Sequence, residues 1–295
     1  MESFWVDLLD QAPAVLAILI MARLSLLVSW PVFLLLEKWR PASTPVPASN
    51  YWLNWQITLI NVILSPVFTL LVIVLTAYAV QALGFPSLEL TTATVSVGIP
   101  AIDLLLQGAL IFLVACLLGD FSYYWWHRLQ HTVPFLWEIH KLHHSDENLN
   151  TTTIYRSHFL EPTGQALFRG LTIGLIFDTS QTEQTMLVIV SGGLLPVLWD
   201  YFIHASVRID ALHRLLPFFS NPQFHWIHHS RLPQHQDKNF AIWIPLYDIV
   251  FGSYYAPELD EYPPTGLSSG EKIDSLWRGQ FDPLFAWAKM LRRGR

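Results

Sequence analysis

The chain has 295 residues, 52% of them hydrophobic and 14% charged, with a mean hydropathy of +0.36, a balance that points to the membrane class. A net charge of −6 argues against nucleic acid as a partner. Cys116 is the single cysteine, so one chain can build neither a disulfide framework nor a thiolate metal site, and any metal has to be held by histidine or oxygen.

Read in chain order, the first ten residues carry Glu2, Asp7 and Asp10 but no Lys or Arg. This reverses the pattern of a basic leader, so the first apolar run is expected to stay in the mature protein. Four stretches are long and apolar enough to cross or nearly cross a bilayer at about 1.5 Å per residue: Pro13–Leu36, Ile57–Leu83, Ile99–Trp126 and Met186–Ile203. A fifth, Leu167–Phe177, is too short to span alone and reads as re-entrant or as one arm of a bent hairpin with the fourth. Pro31, Pro66 and Pro196 are compatible with membrane helices. Three prolines make Pro41–Asn50 an irregular connector.

Basic residues mark cytoplasmic loops. Lys38 and Arg40 close the first span, the segment 84–98 has no Lys or Arg, and Arg128, Lys141, Arg156, Arg208, Arg214, Arg231, Arg292, Arg293 and Arg295 follow the later spans. The histidine-rich segments and the C-terminus are therefore expected in the cytoplasm. The expected fold class is an all-α integral membrane protein of about four transmembrane helices with a cytoplasmic, mostly helical cap. It forms one membrane domain over 1–295, with N-terminal transmembrane helices in 13–126, a histidine-rich region at 120–255 and a membrane hairpin near 164–204.

All 12 histidines lie between His127 and His235. His127 and His131 stand four apart; His140, His143 and His144 stand at i, i+3 and i+4; His225, His228 and His229 repeat that spacing. Residues three and four apart share a helix face, so each cluster can aim two or three imidazoles at one point. His204 ends the fourth span, with Asp200 one turn before it. Nine imidazoles exceed the four positions of a tetrahedral zinc site, so two ions are the economical reading. Imidazole suits iron, copper, zinc and nickel alike. The second ring nitrogens need acceptors, for which Glu138, Asp146, Glu147, Glu161, Asp237 and Asp248 are available. His213 and His235 read as ordinary structural histidines, and His158 and Asp200 are not assigned. Tyr123, Tyr124, Trp125 and Trp126 read as an interfacial aromatic belt or as the lining of a lipid boundary.

The segments DFSYYWWHRLQH (120–131), LWEIHKLHHSDENLN (136–150), YRSHFLE (155–161), NPQFHWIHHS (221–230) and NFAIWIPLYDIVFGSYY (239–255) together resemble the fatty acid hydroxylase and sterol desaturase superfamily of membrane di-iron enzymes. The pattern departs at Phe159, where proline is usual, and at Asp200, where an amide or histidine is common. The resemblance implies that His127, His131, His140, His143, His144, His225, His228 and His229 are metal ligands, with His204 as an additional one. It implies two iron ions, O2 as co-substrate, and hydroxylation, desaturation or ether cleavage of a sterol, fatty acyl, carotenoid or alkylglycerol lipid. No flavin, nicotinamide or haem segment is visible, so a separate electron donor is expected, such as a cytochrome b5-like protein, a ferredoxin or a reductase.

Two other classes compete. A metal transporter or sensor requires ionisable residues within the spans; Arg23 and Asp103 are the clear ones in the first three spans and read as near helix ends. A structural zinc site closes with four ligands, fewer than half of those on offer. Haem has no CxxCH motif to attach to.

Overall fold

A computed structural model of the chain describes residues 13, 15–17, 19–43, 45–84, 97–174 and 195–293. We number its helices α1 (Leu26–Trp39), α2 (Ala48–Leu83), α3 (Pro100–Thr132), α4 (Pro134–His144), α5 (Glu161–Gly174), α6 (Leu195–His204), α7 (Asp210–His213), α8 (Pro222–His228), α9 (Leu246–Val250) and α10 (Leu276–Arg293), with 3-10 turns at Thr151–Tyr155 and Pro233–His235. Among the described residues there is no strand; two isolated bridges join Pro41 to Val207 and Ser230 to Thr265.

Three helical stretches are long and apolar enough to cross a membrane, Val15–Trp39, Ala48–Thr76 and Pro100–Thr132. Their outward faces suit hydrocarbon: Val28 is 71% exposed, Leu59 60%, and Leu104 and Leu105 71% each. The second helix starts nine residues before Ile57, because the connector's polar tail, Ala48–Asn50, is already helical. The third runs six residues past Trp126. At 33 residues it is about 50 Å long, which carries His127 and His131 beyond a hydrocarbon layer of about 30 Å. Pro31 and Pro66 lie inside their helices, as expected. Of the fourth expected span, 186–194 lies outside the described residues; α6 is its last part.

α2 packs against α5 and the Thr151–Tyr155 turn, α3 against α4 and α5, and α6 against α1, α8 and the same turn. One apolar core joins Leu53 and Ile57 of α2 to Leu142, Leu267 and Ile273. A second joins Leu26 and Trp30 of α1 to Tyr155 and Tyr201.

The inward face of α2 carries a polar line. Asn54, Thr58, Asn61 and Ser65 are at most 1% exposed, and each finds a partner. Asn54 donates to Asp146 and to Thr152 Oγ1 (2.9 Å), and Asn61 donates to the carbonyls of Tyr155 (3.0 Å) and Ser157 (2.9 Å). Buried amides with partners tie the membrane helix to one register of the segment after α4.

The expectation of a mostly helical cap holds only in part. Residues 236–245 and 252–275 carry no helix. They are held instead by carboxylates that accept from backbone N–H groups: Asp248 from Phe240 (2.9 Å) and Ala241 (2.8 Å), Asp120 from Trp243 (3.1 Å) and Ile244 (2.9 Å). The aromatic belt is also revised. Tyr124 is fully buried, its hydroxyl 2.9 Å from Ser253 Oγ, and Trp126 is 7% exposed, its ring tilted against that of Phe168. Gly164 makes that possible, because a Cβ there would fall on the Trp126 ring.

Candidate metal centre

α3 presents His127 and His131 one turn apart, α4 presents His140, His143 and His144, α6 ends on His204, and α8 with its C-cap presents His225, His228 and His229. These nine rings converge as two groups, each with ligand nitrogens within 4.8 Å of one another: His127, His131, His140, His144 and His228 in one, His143, His204, His225 and His229 in the other. Asp200 and His158 belong to neither. Each of α3, α4 and α8 aims two of its imidazoles at one group, and α4 and α8 send their third to the other. The reason is angular. At 100° per residue, i and i+4 differ by about 40° around the helix, whereas i and i+3 differ by about 60° on the other side. Hence His140 pairs with His144 and His225 with His229, while His143 and His228 point across to the other group.

The ring nitrogens approach closely. Nε2 of His144 is 3.0 Å from Nε2 of His131 and 3.1 Å from that of His140. In the second group Nε2 of His204 is 3.1 Å from His143 and 3.0 Å from His225, and His225 is 3.1 Å from His229. Hydrogen bonding does not account for all of these contacts, because the other nitrogen is already committed in several rings. Nδ1 donates to the Phe240 carbonyl in His127 (2.9 Å), to Asp237 in His131 (3.3 Å), to Glu161 in His140 (2.7 Å), to the Asp200 carbonyl in His204 (2.8 Å) and to the Lys238 carbonyl in His228 (2.8 Å). A neutral imidazole has one N–H, so Nε2 in these rings carries a lone pair. Nε2 of His127 and of His228 is buried with no hydrogen-bond partner at all.

Lone pairs facing one another across about 3 Å repel, and a cation between them removes the repulsion. Two nitrogens at about 2.1 Å from one ion stand about 3.0 Å apart when cis in an octahedral shell and about 3.4 Å apart in a tetrahedral one. The observed spacing fits the former, and five donors exceed a tetrahedral shell outright.

Electrostatics agree. His140, His143, His144, His225 and His229 are pushed well below the ordinary imidazole pKa, first by burial and then by neighbouring imidazoles. His228 falls to about 4, burial outweighing its bond to the Lys238 carbonyl. The rings are therefore neutral donors near pH 7, the form a metal selects.

Of the acceptors expected from sequence, Glu161 and Asp237 serve rings. Glu138 instead pairs with Lys141 (2.7 Å), Glu147 with Lys272 (2.8 Å), and Asp248 with the backbone of Phe240 and Ala241. Asp146 sits in the α2 polar network; burial would raise its carboxyl, but Arg156 and hydrogen bonds from Thr153, Asn148 and Asn50 hold it below the ordinary value. Backbone carbonyls do most of the remaining work, and nothing in residue type foretells that. Glu37 was also missed. It is 7% exposed inside the first span and accepts from the backbone of Thr151 (2.7 Å) and Ser206 (2.9 Å), which fixes the chain just after His204. A lone carboxylate in an apolar run was the available signal.

His213 bonds Gln223 (3.0 Å) and His235 bonds Ser230 (2.9 Å), outside both groups. His158 donates Nε2–H to the Gln280 carbonyl (3.0 Å) and accepts at Nδ1 from the Leu160 N–H (3.2 Å). Arg23 lies within the first span, its guanidinium 5.3 Å from the centre of the Tyr155 ring, and Asp103 accepts from Val97 N at the start of α3.

The molecule is thus an integral membrane protein in which long apolar helices carry a paired, buried histidine centre. Residues 112–253 match the family model described as Fatty acid hydroxylase. Similar curated proteins include the alkylglycerol monooxygenase of Xenopus tropicalis, 32% identical over 142 residues (48% of this chain, 30% of that protein). The alkylglycerol monooxygenase of Caenorhabditis elegans is 27% identical over 175 residues (59% and 32%), and the methylsterol monooxygenase of Aspergillus fumigatus 26% over 181 residues (60% and 56%). These similarities support the fatty acid hydroxylase and sterol desaturase superfamily. It spans about a third of the length of the alkylglycerol monooxygenases it matches. No solved structure matches it.

Proposed function

We propose that this protein is a membrane-bound di-iron oxidoreductase that uses O2 and externally supplied electrons to hydroxylate or desaturate a lipid. One observation carries the reading: nine imidazoles, eight of them buried, bring their ring nitrogens together in two adjacent groups. On this reading His127, His131, His140, His144 and His228 hold one iron, and His143, His204, His225 and His229 hold the other. Iron bound there supplies the activation of O2 that breaking an unactivated C–H bond requires.

The chain's own residues then have definable tasks. Glu161, Asp237 and the carbonyls of Phe240, Lys238 and Asp200 hold their histidines in the Nδ1–H tautomer, leaving Nε2 for the metal. Asp120 and Asp248 hold the strip 238–244 that supplies two of those carbonyls. The apolar spans exclude water and let a lipid approach sideways from the bilayer.

The proposed topology is a single membrane domain over 1–295, with a hairpin near 164–204 adding a fourth crossing or a re-entrant loop, and the histidine region 120–255 in the cytoplasm. That side would meet a separate electron carrier. The named relatives that act on alkylglycerols make ether lipids the first substrates to test, ahead of sterols and fatty acyl chains.

Lipid profiling of cells with and without the gene tests this reading, with His143→Ala as control. A lipid that changes with the intact gene and not with the variant supports it. An unchanged profile together with iron-free purified protein overturns it.

A further inference from the structure

The helix α10 is 18 residues long, about 27 Å, and one of its faces is fixed to the rest of the molecule. Gly279 lies against Leu142, where a Cβ would come within 2.8 Å of Leu142 Cδ1. Gln280 is buried; its Nε2 donates to the Ser157 carbonyl (3.1 Å) and its Oε1 accepts from the Phe159 N–H (3.1 Å). Trp287 donates Nε1–H to the Phe135 carbonyl (2.7 Å), and the two rings stack with centres 4.1 Å apart. These contacts set the rotation of α10 about its axis. They also set its depth, because the Phe159 ring lies 5.5 Å from that of Phe68, inside the apolar stretch Ala48–Thr76. The middle of α10 therefore rests at the level of a membrane-crossing helix, not at the outer end of the cap.

With that rotation fixed, the flank turned away from the protein is aromatic. Trp277 is 62% exposed, Phe281 39% and Phe285 63%. The exposed Ala288 continues the line, and at 100° per residue the four positions fall within about 80° of arc. The rings of Trp277 and Phe281 stack with centres 4.1 Å apart, so they present one surface. Basic residues border the far end of this stripe. Lys289 and Arg292 are both exposed and lie about 40° and 20° from Phe285 around the helix. From Pro283 to Arg295 the sequence carries Lys289, Arg292, Arg293 and Arg295 and neither Asp nor Glu. The acid nearer the start of α10 is already engaged: Asp282 pairs with Arg278 (3.1 Å), which also reaches Glu271 (3.3 Å). Among the described residues no ion pair involves Lys289 or Arg292.

Depth and charge together select the partner. A helix with charges along its length lies in a bilayer surface instead of crossing it, its aromatic flank sinking to the boundary of headgroups and acyl chains. Cations at the edge of such a flank lay their stems over apolar surface and keep their heads among the headgroups. Each Lys or Arg held near an anionic surface strengthens association about fivefold, an advantage that zwitterionic lipid does not offer. We infer that the outer flank of α10 is a binding site for anionic phospholipid in the leaflet on which it rests. Trp277, Phe281 and Phe285 sit at the top of the acyl chains, and Lys289 and Arg292 contact the phosphates. The site acts without metal and without turnover, so it is independent of the function proposed above.

The test is fluorescence quenching in nanodiscs that hold one copy of the full chain. A fluorophore is attached through Ala288→Cys, the native Cys116 being buried. The quencher is a nitroxide near the top of one acyl chain, carried by phosphatidylglycerol or by phosphatidylcholine at equal mole fraction. Both lipids are expected to quench the label, with a relative association of phosphatidylglycerol at least about fivefold higher, the value of one basic residue near an anionic surface. Lys289→Gln combined with Arg292→Gln is expected to bring that ratio close to one while quenching by phosphatidylcholine persists, and Lys289→Arg to keep it. A label that neither lipid quenches faces water or protein and overturns the inference. Equal quenching by both lipids in the chain with native charges, or a ratio that the double variant leaves unchanged, overturns it as well. Quenching that vanishes when two copies share a disc assigns the flank to a second copy and has the same consequence. Should the double variant not fold, the ratio of the chain with native charges decides together with its salt dependence. That ratio is expected to fall toward one in about 1 M NaCl, where the screening length is about 3 Å, and a ratio indifferent to salt overturns the inference.

Discussion

Arg156→Met tests whether the polar network beneath α4 holds the histidine centre in shape. Arg156 is 4% exposed. Its guanidinium donates to the Leu142 carbonyl (3.3 Å), to Ser145 Oγ (3.2 and 3.1 Å), to Asn54 Oδ1 (3.1 Å) and to the Ile273 carbonyl (2.7 Å). These bonds join the end of α4, which carries His143 and His144, to α2 and to the segment before α10. Methionine fills similar volume but takes the guanidinium donors from four acceptors and removes the positive charge that holds the buried Asp146 ionised. Breaking a buried charged network from one side costs about 3–5 kcal/mol. For a chain of this size that corresponds to a drop in Tm on the order of 10 °C.

The pH dependence carries a sign. Asp146 is depressed in the folded protein, so its contribution is present above the unfolded carboxyl pKa of about 3.9 and is lost as pH falls through the lower folded value. The variant lacks that contribution, so the gap between wild type and variant should narrow at acid pH. The assay is denaturant unfolding in detergent at pH 7 and pH 3, with metal content alongside. A loss below about 1 kcal/mol at pH 7, or a gap that widens toward pH 3, refutes the reasoning.

Other outcomes follow from single contacts. Glu161→Ala removes the acceptor 2.7 Å from His140 Nδ1 and should weaken metal affinity about 10- to 100-fold, with Glu161→Gln recovering part; competition with a chelator reads this out. Gly164→Ala drives a Cβ onto the Trp126 ring and should cost about 1–3 kcal/mol of stability, measured by unfolding midpoint. His158 is held neutral, its pKa lowered to about 4 mainly by burial. Its contribution is therefore intact above the unfolded value of about 6.5 and lost as pH falls toward 4, a change of about 3 kcal/mol. Comparing unfolding of wild type and His158→Gln at pH 7.5 and pH 4 should show the variant losing less by that amount.

Much of this architecture was legible in the chain. Apolar runs at membrane length located the three long helices, and histidines spaced by three and four located the centre. Two things were hidden. The division of α4 and α8 between both groups depends on how those helices are rotated, which spacing alone leaves open. The acceptors for His127, His204 and His228 are backbone carbonyls, which every residue possesses. Helix starts were misjudged where polarity was read as irregularity. Asn50, Asn54, Asn61 and Ser65 lower the hydropathy of α2, yet they are its inward face, satisfied by Asp146, Thr152 and the chain around Tyr155. Tyr124 and Trp126 misled in the opposite direction, because aromatic residues at a span's end suit a lipid interface and a packed core equally well.

Metal analysis of the full chain, purified from iron-replete cells and paired with His131→Ala and His204→Ala, bears most directly on the claim that two adjacent groups of imidazoles each hold an ion. Two iron ions per chain, falling toward one in each variant, is the predicted result. A single zinc per chain, or iron content indifferent to both substitutions, would contradict it.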